Sequence, residues 1–375
     1  MSRFAVTVAT GALAAVLCAG RALPSAAAPA PVLSASSAVL VDVQTGRMLY
    51  ALAPHVRRPP ASTTKMLTAL LVAESLTPET VVTITERASA ERSGSAFGLE
   101  AGERWTAGEL MRAMLMHSAN DAAVALAEAV AGSVEAFAGR MNARAGALGA
   151  RDSHFVTPHG RHHPQHYSTA YDLALIGRAA LAVPWIAEVV RTQTWELRRG
   201  GSTRLVINTN SLLWRYPEAD GIKTGWIAES GPCLVASATR GGWQLIAVVL
   251  NSGPMYRDAA ALLNYGFGGF TRIRGASAGD EVRTVPVPNG RRPLVAAAKE
   301  DAVIVVPKGA AVNRKVFLTK TAAPIERGEV VGTLLFTSGG VEVGRVPLVA
   351  ADEVPPRSLV VRLWRWLRGL AAGGR

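Results

Sequence analysis

Ser62 and Lys65, in the run Ser62-Thr63-Thr64-Lys65, set a hydroxyl and an amine three residues apart. If the run opens a helix, side chains at that spacing share one face and the two groups can meet. A lysine whose ammonium form is disfavoured by burial or by neighbouring positive charge can take the serine proton and leave a nucleophilic oxygen. A helix N-terminus would add positive potential beside the developing alkoxide. Alone, the run has a plainer reading as a capping serine followed by a solvated lysine.

Two further triplets carry the same kind of chemistry. Ser118-Ala119-Asn120 falls between two helical stretches and can aim a second hydroxyl and a carboxamide into a cleft, although Ser118 or Asn120 could also simply cap the next helix. Lys223-Thr224-Gly225 follows Asp220-Gly221-Ile222 and reads as an edge strand lining a groove. There Thr224 can hydrogen-bond a carboxylate, Lys223 supplies positive charge, and Gly225 lets a substrate backbone come close.

The elements that would position these groups follow from periodicity. A hairpin is expected from Ala38–Val41 and Met48–Leu52 about Gln44-Thr45-Gly46, then a helix from Ser62 to Glu74 entered through Pro60. Helices are expected at Ala107–Met116, Asn120–Ala131, Met141–Leu148, Ala170–Leu181 and Met255–Tyr265. Strands are expected at Thr192–Leu197, Leu234–Ala238 and Leu245–Leu250. From residue 275 to 353, short valine-rich runs broken by Gly, Pro and Asn predict a small all-β unit, and Pro355-Pro356 reads as a linker after it.

Taken together and in this order, S-x-x-K, S-x-N and K-T-G resemble the signature of the serine penicillin-recognising enzymes. The wider runs Pro60–Met66, His117–Ala123, Thr157–Gly160, His166–Ala174 and Asp220–Gly225 resemble the low-molecular-mass D-alanyl-D-alanine carboxypeptidases over about residues 32–353. The resemblance implies an α/β fold class. A serine β-lactamase/transpeptidase-like domain (29–272) would be followed by a small all-β sandwich domain (273–353) and a C-terminal amphipathic helix (354–375), with residues 1–28 as a signal peptide.

It also implies roles. Ser62 would be the acylating nucleophile, Lys65 its base, and Ser118 the proton relay to the leaving amine. Asn120 would orient the substrate amide, and Lys223, Thr224 and Arg257 would hold the terminal carboxylate, with Gly225 admitting the substrate backbone. The backbone N–H groups of Ser62 and Trp226 would form the oxyanion hole. Two positions depart from the family pattern: Ile227 stands where a Thr is usual, and Glu229 replaces a common small residue.

The expected substrate is the peptidoglycan pentapeptide, with β-lactam antibiotics as covalent inhibitors and no cofactor. A class A β-lactamase is disfavoured because its E-x-x-L-N deacylation motif is missing. A DD-endopeptidase uses the same triplets, and a non-catalytic wall-binding protein would not need all three.

Composition bounds the remaining choices. The 375 residues include 49% apolar and 18% charged, which excludes wholesale disorder, and the formal charge is +12. Part of that charge sits at the ends, as Arg3 and Arg21 and as five arginines between Arg357 and Arg375. Phe4–Gly20 is small and apolar, and Ala26-Ala27-Ala28 offers a cleavage site, so export is expected. Cleavage would leave Cys233 as the only cysteine. The expected location is the outer face of the cytoplasmic membrane or the cell wall. The tail would lie on an anionic membrane surface, and nucleic acid is not an expected partner.

Five of the seven histidines fall between His154 and His166, which raises a metal-binding alternative. The plainer reading is a solvated loop with His159 and His166 in family positions, and no metal is expected.

Overall fold

The computed structural model describes residues 29–358. The expected signal peptide and the expected terminal helix beyond 358 lie outside the described residues.

The chain begins with β1 (Ser37–Asp42) and β2 (Met48–Leu52), the hairpin anticipated about Gly46. A 3-10 turn over Ala61–Thr64 then leads into α1 (Lys65–Ser75). The expected helix start at Ser62 is therefore corrected. Ala61 sits at φ +47, outside the right-handed helical region, and Thr63 Oγ1 turns back to donate to the Pro60 carbonyl at 2.6 Å. The nucleophile candidate thus lies in the tight turn before the helix.

Short strands β3 (Val81–Thr83) and β4 (Arg104–Thr106) pair around α2 (Glu86–Ala90), three elements with no clear periodic signal. Next come α3 (Ala107–Met116), α4 (Asn120–Ala131) and α5 (Val134–Ala147). A capping box between Thr106 and Glu109 starts α3. Helix α5 begins earlier than its apolar run suggested, because Ser133 Oγ accepts the Ala136 N–H and starts it at Val134. Helices α6 (Ala170–Leu181) and α7 (Pro184–Arg191) precede the hairpin β5 (Thr194–Arg199) and β6 (Ser202–Ile207) and the single turn α8 (Leu212–Arg215). Strands β7 (Ala219–Ile227), β8 (Gly231–Arg240) and β9 (Trp243–Leu250) and helix α9 (Met255–Gly269) complete this part.

The main sheet runs in the order β2-β1-β9-β8-β7, all antiparallel, with β7 at one edge. Alternate residues of its central strands go to two different cores. Val39, Val41, Val235, Ile246 and Val248 pack among α1, α3, α4 and α6, whereas Leu40, Leu234, Leu245 and Val249 pack against α9. That burial on both faces is why these strands read as unbroken apolar runs.

Helix α9 passes directly into β10 (Phe270–Ala276), which pairs with β13 (Ala302–Pro307). Opposite them lies a second sheet in the order β11-β12-β16-β15-β14, comprising β11 (Glu281–Val285), β12 (Leu294–Ala298), β14 (Asn313–Leu318), β15 (Val330–Ser338) and β16 (Val341–Ala350). Ile304 and Val306 from one sheet and Leu294, Leu334, Phe336 and Leu348 from the other fill a separate core. Pro355-Pro356, expected as a linker, is instead stitched to this unit. Val354 bridges Ile325, the Pro355 carbonyl accepts from Arg291, and Arg357 N–H donates to the Asn289 carbonyl at 2.7 Å.

Candidate active site

Helix α1 places Lys65 at its first residue, fully buried, with Ser62 one turn before it. Lys65 Nζ lies 2.9 Å from Ser62 Oγ, 2.6 Å from Asn120 Oδ1 and 3.1 Å from the His159 carbonyl oxygen. Three oxygens around one nitrogen are the partners of an ammonium donating three hydrogen bonds, and the same 2.9 Å contact serves a neutral amine that accepts from the serine hydroxyl. Burial pushes the Lys65 pKa well below that of a free lysine, and the Lys223 charge pushes the same way, against Asp121 and Glu91.

The turn between α3 and α4 holds Ser118 at φ +65 and makes Asn120 the first residue of α4. Asn120 Nδ2 donates to the Ser93 carbonyl at 2.6 Å, while its backbone N–H donates to the Ser95 carbonyl. Beside it, fully buried Asp121 accepts the N–H groups of Phe97, Gly98 and Leu99 at 2.9–3.2 Å. The start of α4 therefore shapes the segment 93–99 as one wall of a cleft.

Strand β7 supplies the facing wall. A β-carbon on Gly225 would come within 3.1 Å of both the Ser62 nitrogen and the Pro60 carbonyl oxygen, tighter than ordinary contact, so glycine lets the strand lie this close to the serine turn without displacing it. Lys223 is buried beneath, and burial lowers its pKa to about 7. Its Nζ donates to the Thr224 carbonyl at 3.2 Å, and Thr224 Oγ1 is 3.1 Å from Thr209 Oγ1. Ser62, Ser118, Asn120, Thr224, Gly225 and Trp226 line one cleft of about 740 Å³, with Lys65 and Lys223 under its floor. Ile227 and Glu229, the two departures from the family pattern, also line it.

Arg257 stands apart from this group. Its side chain is 72% exposed, donates to Ser34 Oγ at 3.1 Å and lies 3.8 Å from Asp258. The preceding Met255 and Tyr256 line the cleft in its place, Tyr256 tethered by its hydroxyl to the Thr209 carbonyl.

The histidines diverge to separate partners. Buried His166 is hydrogen-bonded through Nε2 to Thr64 Oγ1 at 2.9 Å and accepts the Val156 N–H at Nδ1, with its pKa pushed down to about 3, chiefly by burial. His163 accepts the Gln165 N–H within its own loop, and His162 lines the cleft. His159 points its Nε2 toward Glu91, 3.5 Å away. Among the described residues no group of three or more His, Cys, Asp or Glu side chains gathers as a metal site. Sequence reasoning missed Glu91, which follows α2, because the contact with His159 spans two distant segments; a lone acid before Ser93-Gly94-Ser95 was its only trace.

Comparison with known proteins gives a consistent result. Residues 24–253 match the family model described as D-alanyl-D-alanine carboxypeptidase, and residues 270–356 match that of the penicillin-binding protein 5 C-terminal domain. The chain is 33% identical over 345 residues to the D-alanyl-D-alanine carboxypeptidase DacF of Bacillus subtilis, covering 88% of each chain. It is 33% identical over 346 residues to DacA of Escherichia coli, covering 87% of this chain and 85% of that one. The solved structure of penicillin binding protein 5 from Haemophilus influenzae superposes with a TM-score of 0.79 at 30% identity, covering 88% of this chain and 99% of that one.

Proposed function

The chain belongs to the D-alanyl-D-alanine carboxypeptidase family and is a serine peptidase; on that premise we propose how its own residues perform the reaction. The observation that carries the reading is the 2.9 Å approach of a fully buried Lys65 amine to Ser62 Oγ.

The terminal D-Ala-D-Ala of a peptidoglycan stem peptide lies along β7 with its carboxylate toward Lys223 and Thr224. Neutral Lys65 takes the Ser62 proton as Oγ bonds to the carbonyl carbon of the penultimate D-alanine. The oxyanion is met by the N–H groups of Ser62 and Trp226. The proton passes through Ser118 to the leaving nitrogen, the C–N bond breaks, and D-alanine departs. Water then adds to the acyl ester, a proton returns to Ser62, and the shortened peptide leaves. Asn120 orients both the substrate amide and Lys65. Arriving negative charge stabilises protonated Lys223, whose burial alone leaves it only part-charged near neutrality. Arg257 is assigned to the same carboxylate on the family pattern alone, its side chain here being turned to Ser34 and Asp258.

A β-lactam presents a strained amide to the same nucleophile and remains as a covalent adduct. Export, through the segment 1–28, places the enzyme outside the cytoplasmic membrane with its substrate, and the arginine- and tryptophan-bearing tail holds it at the anionic outer surface. The test is release of D-alanine from a pentapeptide together with penicillin labelling mapped to Ser62. Absence of D-alanine release from labelled protein would overturn the carboxypeptidase reading for this chain.

A further inference from the structure

Glu91 touches both backbone segments that hold the Lys65–Asn120 pair. Its carboxylate accepts the Ser93 N–H at 3.2 Å and also the Ser93 hydroxyl, while its other oxygen stands 3.5 Å from His159 Nε2. His159 Nδ1 accepts the Arg161 N–H at 3.2 Å, which puts the ring proton on Nε2, facing Glu91. Each contact is one step from the reacting groups: the Ser93 carbonyl receives Asn120 Nδ2, and the His159 carbonyl receives Lys65 Nζ. The side chain is only 16% exposed, and its pKa falls to about 2, with His159 the largest cause.

We propose that Glu91 is a positioning residue for acylation, tying Ser93 to His159 so that their two carbonyls hold Lys65 and Asn120 at hydrogen-bonding distance. The proposal rests on the reading of Ser62 as nucleophile and Lys65 as base. The groups that face Glu91 are His159 and, at 3.9 Å, Arg161. Burial lowers the His159 pKa, which favours the uncharged ring, and its Nε2 stands 3.5 Å from the Glu91 carboxylate. Lys65 senses Glu91 at longer range together with Asp121 and in opposition to Lys223.

The test measures the rate of acylation by a fluorescent penicillin against pH in the full-length protein, alongside the melting temperature. Glu91→Gln should slow acylation by about ten- to a hundred-fold, the scale expected when a reacting group is displaced by a fraction of an ångström to an ångström. It should also move the acid-side midpoint of the rate to lower pH, because Lys65 loses a charge that favours its protonated form. A purely structural role would lower the melting temperature and leave the plateau rate of acylation near wild type, since the midpoint shift reports only the lost charge. If Glu91→Gln does not fold, His159→Ala removes one arm and Ser93→Ala weakens the other, whose backbone N–H contact stays, with both carbonyls kept. His159→Ala should slow acylation about ten-fold, with His159→Gln restoring part of the rate, and Ser93→Ala should slow it by a smaller factor. A wild-type plateau rate in Glu91→Gln, or wild-type rates in both single-arm variants, would overturn the proposal. Ser62→Ala serves as the separate control: labelling that persists in it sinks the nucleophile assignment whatever Glu91 does.

Discussion

Gly160 packs so tightly on Ala61 that a β-carbon at Gly160 would sit 1.8 Å from the Ala61 carbonyl oxygen. Ala61 immediately precedes Ser62, and Gly160 immediately follows the residue whose carbonyl receives Lys65, so one backbone contact registers Ser62 against Lys65. Gly160 is also at φ +86, which disfavours any side chain there. Gly160→Ala should therefore slow acylation by about a hundred-fold through misplacement of the pair. The check is penicillin acylation kinetics on folded protein; an unchanged rate would show that the turn tolerates displacement.

Removing the base has a different signature. Lys65→Ala should reduce acylation by about a hundred- to ten-thousand-fold, the range for losing a positioned general base. It also strips partners from buried Asn120 Oδ1 and the His159 carbonyl, so a small fall in melting temperature should accompany the loss. Peptide mapping of any residual label tests whether Ser62 is still its site.

Lys223 gives a pH prediction with a definite sign. Its pKa is lowered to about 7, so the charged fraction in the free enzyme falls as pH rises through that value. The KM for a pentapeptide with a free terminal carboxylate should rise above neutrality, whereas acylation by an ester lacking a carboxylate should not weaken there. Parallel pH profiles for the two substrates would separate Lys223 from carboxylate binding.

Arg257 can be tested by the same contrast. Arg257→Ala should lower kcat/KM for a carboxylate-bearing peptide by about ten- to a hundred-fold, the cost of one charge-assisted contact, and leave a neutral ester nearly unaffected. Equal losses on both substrates would assign Arg257 to its structural contacts with Ser34 and Asp258.

For the tail, the stitching of Arg357 to Asn289 fixes where a truncation should start. Deleting residues 359–375 should leave an active enzyme that no longer sediments with anionic vesicles. Sedimentation that persists without the tail would place membrane affinity elsewhere.

The site was legible in the sequence where chemistry is local, and hidden where it depends on distant segments meeting. Ser62 and Lys65 declared themselves by spacing, as did helices α3, α4 and α6 by their apolar period. The 3-10 turn at Ser62 did not, because it depends on Ala61 being held at positive φ by contacts from elsewhere in the chain. Strands β10 and β12 were missed because Phe270–Ala276 continues without a break from α9 and Leu294–Ala298 is alanine-rich, a poor strand signal that burial overrides. Glu91 was missed because its approach to His159 joins two segments distant in sequence.

The position of β7 has a consequence for self-association. A strand at the margin of a sheet carries unpaired backbone donors and acceptors and invites another polypeptide to dock and propagate the sheet, which is a route to aggregation. Here the margin faces a cleft whose other walls include Ser93–Ser95 and His159–His162. Those walls stand over the end of β7 that carries Thr224–Ile227, and covering an edge with other chain segments is one way a sheet is kept from pairing with a neighbour. The same walls that form the cleft thus guard a reactive sheet margin against polymerisation.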